Sequence, residues 1–323
     1  MSHAQVLISQ TGHAVTRAGL KAQFQTAYLQ DLPSLDEASR ANICAIATLM
    51  NPIDQKIMDQ LPNLKIIASF GVGYDHVDAD AAAKKNIIVT HTPTVLDDEV
   101  ADTTIGLLLN AVRELSSAER YLRSGQWVKN GSYRLTPLTL RNRKVGIYGM
   151  GRIGRAIARR LEGFGVSIAY HNRSPVPDLG YPYHATLMEL ASHVDTLINV
   201  VPATPQTTGA VNAPILSALG ADGVLINIGR GATVNEADLA AALENGVIAA
   251  AGLDVFRDEP HVPQALLDAP NTVLLPHVGS ASMHTRTAMG QLVIDNLAAW
   301  FEKGSALTPV PETAHLNDLG DVV

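Results

Sequence analysis

The chain has 323 residues, 46% of them hydrophobic, with a formal net charge of −7 at pH 7. That is apolar material for two cores at about 150 residues per domain, and the acidic balance argues against a nucleic-acid surface. No apolar run approaches a membrane span, the N-terminus lacks a basic region before a long apolar core, and the one cysteine, Cys44, allows no intramolecular disulfide, so a cytoplasmic protein is expected.

Short apolar runs alternate with helical patterns along the chain, the signature of an α/β fold with doubly wound parallel sheets and crossover helices. A first set, Gln5 to Ile8, Phe24 to Leu29, Ile43 to Thr48, Lys65 to Ala68 and Ile87 to Val89, predicts one small domain. Cys44 lies within the third run and reads as a small core residue. A long helix is predicted from near Glu99, whose acidic lead-in Asp97-Asp98-Glu99 suits a helix N-terminus. It continues through Ile105, Leu108, Leu109, Val112 and Leu115 to a loop around Gly125. The basic cluster Arg141-Asn142-Arg143-Lys144 reads as a solvated lead-in to a strand. From Val145 a second set begins: Val145 to Tyr148, Val166 to Tyr170, Thr196 to Val201, Val224 to Ile228, Ile248 to Val255 and Thr272 to Leu275. One helix between these has readable caps, Asn235 at its start and Gly246 just past its end. A last helix runs from about Ser282 to Phe301 and stops at Gly304.

Gly149-Met150-Gly151-Arg152-Ile153-Gly154 sits where a dinucleotide-binding turn must sit, between a strand and a helix whose predicted apolar face is Ile153, Ile157, Leu161 and Phe164. Gly149 can take backbone angles closed to other residues, Gly151 lets the main chain approach a pyrophosphate, and Gly154 lets the helix pack on its strand. The helix N-terminus then offers N–H groups and a positive dipole end to phosphate. About 20 residues past the first glycine, where an enzyme built for NAD carries an acid for the ribose 2′-hydroxyl, this chain has Asn172-Arg173-Ser174. Arg173 offers a planar donor set to a 2′-phosphate, with Asn172 and Ser174 as neutral donors beside it. NADP(H) is therefore the expected cofactor, with NAD(H) still possible.

In such folds ligands lie outside the carboxyl ends of the strands. Three strand ends carry one coherent chemistry: Gly229-Arg230-Gly231, where the flanking glycines leave a guanidinium room to meet a carboxylate; Asp258-Glu259-Pro260; and Pro276-His277-Val278-Gly279. A histidine at a strand end, near an acid that can hold its second nitrogen, is a proton donor to a carbonyl under reduction.

These motifs, with Phe70-Gly71-Val72-Gly73-Tyr74-Asp75, Asp98 to Asp102, Ile226 to Gly231 and Gly252-Leu253-Asp254-Val255, make the chain from about Leu61 to Pro309 resemble the D-isomer-specific 2-hydroxyacid dehydrogenases. Within them it is most similar to NADPH-linked glyoxylate/hydroxypyruvate reductases and to hydroxyphenylpyruvate reductases. The resemblance implies that Arg230 orients the substrate carboxylate and polarises its carbonyl, that His277 donates the proton, and that Glu259 pairs with His277. It implies carboxylate binding by the main-chain N–H groups of Val72 and Gly73, and cofactor contacts from Thr104, Val201, Pro202, Thr207, Ile228, Asp254 and Gly279 besides the turn. It implies a Rossmann cofactor domain, 99–287, inserted in a flavodoxin-like substrate domain, 1–98 plus 288–323. It implies a homodimer in which the segment from Trp127 to Leu140 crosses the interface and a residue near Tyr133 approaches the partner's active site.

The expected substrate is a small 2-keto monoacid, glyoxylate giving glycolate or hydroxypyruvate giving D-glycerate, with no metal involved. Hydroxyphenylpyruvate or another D-2-hydroxy acid is the alternative, since pocket size rests on residues such as Met50 and Trp300. A phosphoglycerate, formate or phosphite dehydrogenase would keep the cofactor turn, but Glu259 departs from the glutamine of formate dehydrogenases. A dinucleotide-sensing protein like the corepressors of this fold would carry long tails, and this chain ends soon after Pro309-Val310-Pro311.

Overall fold

The computed structural model describes residues 5–9 and 13–318; the ends of the expected substrate domain, 1–4 and 319–323, lie outside the described residues, as do 10–12. The chain divides into two compact units, Met1–Leu96 with Ser282–Val323, and Asp97–Ala281. Each junction falls where a helix starts.

The first unit holds β1 (Gln5–Ile8), α1 (Ala14–Gln23), β2 (Gln25–Tyr28), α2 (Glu37–Ala41), β3 (Ile43–Thr48), α3 (Gln55–Met58), β4 (Ile66–Ser69), α4 (Ala79–Lys84) and β5 (Ile88–Thr90). Its strands pair in parallel in the order β2-β1-β3-β4-β5. Crossover helices cover both faces of such a sheet, which is why the central strands are near-continuous apolar runs: Ile43, Ile46, Ile66 and Ile67 are all buried. Asp36, Asp54 and Asp78 start α2, α3 and α4, each carboxylate accepting an N–H from the first turn. Cys44 is half-buried in β3, and burial pushes its thiol pKa up.

The second unit runs through α5 (Asp97–Arg113), α6 (Leu115–Arg123), α7 (Gln126–Asn130), β6 (Lys144–Tyr148), α8 (Arg152–Glu162), β7 (Ser167–His171), β8 (Tyr183–His184), α9 (Leu187–His193), β9 (Thr196–Asn199), α10 (Ala213–Leu219), β10 (Val224–Asn227), α11 (Glu236–Glu244), β11 (Ala250–Leu253), α12 (Gln264–Asp268) and β12 (Thr272–Leu274). The seven strands form one parallel sheet, β12-β11-β10-β9-β6-β7-β8. Leu197, Leu225 and Ala251 from its strands pack with Leu190, Leu216, Leu239 and Leu243 from its helices. The strand order reverses between β6 and β9, and that switch point is where a doubly wound sheet opens a crevice at its carboxyl edge.

The sequence-based expectations need four corrections here. The long helix ends at Arg113, because Glu114 takes a left-handed backbone (φ 53°) and its buried carboxylate accepts from Tyr133 Oη at 2.8 Å and Arg134 Nη2 at 2.6 Å; Leu115 opens α6 and is exposed. Phe164 lies beyond the end of α8, 44% exposed, rather than on its core face. Arg143 is not solvated: it is 6% exposed, donates to Thr196 Oγ1 at 2.6 Å and to the carbonyls of Asp195 and Asp222, and pairs with the Asp195 carboxylate. Finally, the two-residue β8 at the sheet edge carries too little pattern to read from sequence.

The chain returns to the first unit with α13 (Met283–Lys303), capped by the Ser282 hydroxyl and stopped by left-handed Gly304. The segment after it lies along β5, where the Val310 N–H donates to Val89 O at 2.8 Å.

Candidate active site

β6 delivers the glycine turn at the switch point. Gly149 holds φ 107°, closed to residues with a side chain, and a Cβ on Gly154 would collide with the Gly149 carbonyl. No side chain caps α8, whose N-cap is Gly151, and nothing lies within 4 Å of where a Cβ on Gly151 would stand. An uncapped helix start with open space over a glycine is a fit cradle for a pyrophosphate. Asn172, just past β7, pins the turn by accepting the Met150 N–H on Oδ1 at 2.6 Å. Arg173 and Ser174 beside it are exposed, and Arg173 makes no ion pair among the described residues. Arg152 is drawn to Asp97, Nε to Oδ2 3.3 Å, and Ile153 is half-buried.

The other expected cofactor residues lie at neighbouring loops of the same unit. Val201 is buried and Pro202 exposed after β9, and Thr207 Oγ1 closes their loop by donating to Pro202 O at 2.6 Å. Buried Thr104 bonds back to Val100 O within α5. Ile228 and Gly279 face one another closely enough that a Cβ on Gly279 would meet Ile228 Cδ1 at 3.3 Å. The Asp254 carboxylate accepts the N–H groups of Val278 and Gly279, both at 2.7 Å. Burial nevertheless raises its pKa against the pull of those two bonds.

Arg230, Glu259 and His277 follow β10, β11 and β12, and this unit brings them together. His277 sits at φ 53° with its N–H on Asp254 O at 2.8 Å, and its Nδ1 meets Glu259 Oε2 at 2.7 Å. The second carboxylate oxygen of Glu259 accepts the Phe256 N–H at 2.9 Å. Burial works to raise the Glu259 pKa, but the bonds from His277 and Phe256, with the charges of His277 and Arg230, outweigh it and hold the carboxyl below its ordinary range. Glu259 is thus an ionised acceptor, so Nδ1 is the donor and Nε2 is the nitrogen left to pass a proton to a ligand.

Sequence reading missed what holds Arg230 in place. Asn199 and Asn227, fully buried at the ends of β9 and β10, form an amide chain: Asn199 Nδ2 donates to Asn227 Oδ1 at 3.1 Å, and Asn227 Nδ2 to Arg230 O at 3.1 Å. Two buried amides closing apolar strands were the available signal, since buried polar groups must be partnered. Gly231 matters for contact as well as for room: a Cβ there would collide with the main chain at Phe256, so only glycine lets the Arg230 loop lie against the segment leading to Glu259.

Val72 and Gly73 lie in the first unit, half-buried beyond the end of β4. Met50, past β3, is 49% exposed, and Trp300 lies half-buried on α13.

Residues 105–279 match the family model described as D-isomer specific 2-hydroxyacid dehydrogenase, NAD binding domain. The chain is 48% identical over 257 residues to glyoxylate/hydroxypyruvate reductase A of Arabidopsis thaliana, covering 80% of this chain and 82% of that one. It is 47% identical, with the same coverage, to hydroxyphenylpyruvate reductase of Plectranthus scutellarioides. Among solved structures, an NADPH-dependent glyoxylate/hydroxypyruvate reductase from Sinorhizobium meliloti, in complex with NADP and malonate, superposes with a TM-score of 0.94 at 54% identity, covering 97% of this chain and 98% of that one. The chain belongs to the D-isomer specific 2-hydroxyacid dehydrogenase family.

Proposed function

We infer that this protein reduces small 2-keto acids with NADPH, converting glyoxylate to glycolate and hydroxypyruvate to D-glycerate. The observation that carries the reading is the His277–Glu259 pair with Arg230 at adjacent strand ends of a dinucleotide-binding unit. The turn from Gly149 to Gly154, with Asn172, Arg173 and Ser174 and with Thr104, Val201, Pro202, Thr207, Ile228, Asp254 and Gly279, would hold NADPH, which would supply the hydride when bound. Arg230 is assigned to the substrate carboxylate, and in the first unit the main-chain N–H groups of Val72 and Gly73 are assigned to carboxylate binding as well. His277 Nε2 donates the proton to the carbonyl oxygen while Glu259 holds Nδ1. Negative charge grows on that oxygen, so guanidinium and imidazolium groups stabilise the transition state more than the bound keto acid.

The exposed Arg173, without an acid at the preceding position, supports NADPH over NADH. Expected kcat/KM for glyoxylate is at least about tenfold higher with NADPH, the worth of one charge-assisted contact. N172D combined with R173A should remove that margin. Equal or better efficiency with NADH in the unaltered protein would overturn the cofactor assignment. Hydroxyphenylpyruvate stands as the second substrate, on the 47% identity to a reductase of that name.

A homodimer accompanies this reading. Leu115, Leu122, Trp127, Val128 and Leu135 all stand exposed on or near α6 and α7, and large apolar groups exposed along one segment support an interface there. Light scattering at micromolar concentration should give twice the chain mass; the mass of one chain would refute the pairing. The half-buried free thiol of Cys44 fits a reducing, cytoplasmic setting.

A further inference from the structure

Gly71-Val72-Gly73 belongs to no helix or strand, yet two hydrogen bonds from the end of β5 fix it. The Thr92 N–H donates to Gly71 O at 2.8 Å, and His91 Nδ1 lies 2.9 Å from Val72 O. A carbonyl oxygen only accepts, so Nδ1 carries the hydrogen in that bond.

His91 is itself held from two directions. Its N–H donates to Thr308 O at 3.2 Å and its carbonyl accepts Thr308 Oγ1 at 2.6 Å. Thr308 in turn is bonded by Asn296 of α13, which is fully buried. The imidazole ring meets Tyr74 edge-on, centroids 5.6 Å apart at 88°. The Tyr74 hydroxyl donates to Glu312, 3.0 Å and 3.2 Å from its two oxygens. Burial, with Glu312 beside it, keeps that phenol protonated, its pKa pushed up to about 12.

In a trans peptide unit the C=O and the following N–H lie in one plane and point in opposite directions. The Val72 carbonyl and the Gly73 N–H are such a unit, so whatever grips the carbonyl aims the N–H. Thr92 does the same for the Val72 N–H through Gly71 O. With a glycine on either side of Val72, the planes have little steric restraint of their own, and the aim must come from outside the loop. We propose that His91 is a positioning residue for 2-keto acid binding, gripping the Val72 carbonyl so that the Gly73 N–H is presented to the substrate carboxylate. This rests on the assignment of the Val72 and Gly73 N–H groups to that carboxylate.

Two variants separate the donor from the packing. H91F keeps an aromatic edge against Tyr74 and loses the donor, whereas H91N places an amide N–H one bond from Cγ, as Nδ1 is, and keeps it. Three quantities are measured for each: hydrogen exchange at residues 72–73 in the free protein, KM and kcat for glyoxylate, and NADPH affinity. H91F should exchange faster at 72–73 and raise KM about tenfold, the ratio that one lost hydrogen bond carries, with kcat within about threefold and NADPH affinity unchanged. H91N should restore both exchange and KM to near wild type. An unchanged KM in H91F, or H91N as impaired as H91F, would overturn the proposal. Faster exchange with unchanged KM would show that His91 holds the loop but that the carboxylate binds elsewhere, which overturns both the proposal and the Val72-Gly73 assignment. A higher KM with unchanged exchange would remove the hydrogen bond from the explanation. Wild-type protein without keto acid turnover would overturn the functional reading itself, while the exchange measurement would still report the His91 bond.

Discussion

Replacing His277 with alanine is expected to lower kcat for glyoxylate reduction by about a thousandfold, within the range general acids contribute, while leaving NADPH binding nearly unchanged. Among the described residues the His277 ring makes one hydrogen bond, to Glu259, and the main chain at φ 53° is tied to Asp254 O and survives the substitution. With Nδ1 committed to an ionised carboxylate, Nε2 is the nitrogen proposed to hand on the proton, and alanine would offer the carbonyl oxygen nothing in its place. The depressed pKa of Glu259 adds a pH signature. The Glu259 acceptor is lost only as pH falls through a range below that of an ordinary glutamate, roughly 4.3. Wild-type reduction should therefore hold its rate down to about pH 5. Steady-state kinetics of wild type and H277A check both statements, and near-normal turnover in the variant would remove His277 from the mechanism.

Arg230→Lys is expected to lower kcat/KM for glyoxylate by at least about a hundredfold although the charge is retained. A guanidinium offers a carboxylate two parallel N–H donors in a rigid fork, and an ammonium is a point charge on a flexible stem. The molecule invests structure in placing the main chain that carries that fork: the buried Asn199 and Asn227 chain, the bond to Arg230 O, and a glycine at 231 that permits close approach to Phe256. Losing a carboxylate contact should raise KM as well as lower kcat, whereas H277A should act on kcat. Kinetics of R230K within about threefold of wild type would contradict the role.

The parts of the site legible in the sequence are those set by local chemistry. Gly149 and Gly154 are required by the turn's own backbone and by a contact five residues away, so the motif carries its geometry with it. The strand ends at Arg230, Glu259 and His277 could be located because apolar runs stop there. What stayed hidden depends on partners distant in the chain. Glu114 breaks the helix around bonds from Tyr133 and Arg134, where the apolar pattern alone runs on to Leu115, and Arg143, which in isolation reads as a solvated charge, is buried by Asp195 and Asp222. The same holds for His91, whose partners Val72 and Thr308 lie in two other segments, and for Asn199 and Asn227, which pass as polar ends of apolar strands until their amides are seen to meet.

The most direct measurement is the reaction of the purified protein with hydroxypyruvate and NADPH, followed by chiral analysis of the glycerate formed. Reduction with NADPH predicts one NADPH consumed per glycerate, and membership of the D-isomer specific family predicts the D enantiomer alone. No NADPH consumption with hydroxypyruvate, or formation of L-glycerate, would contradict the account.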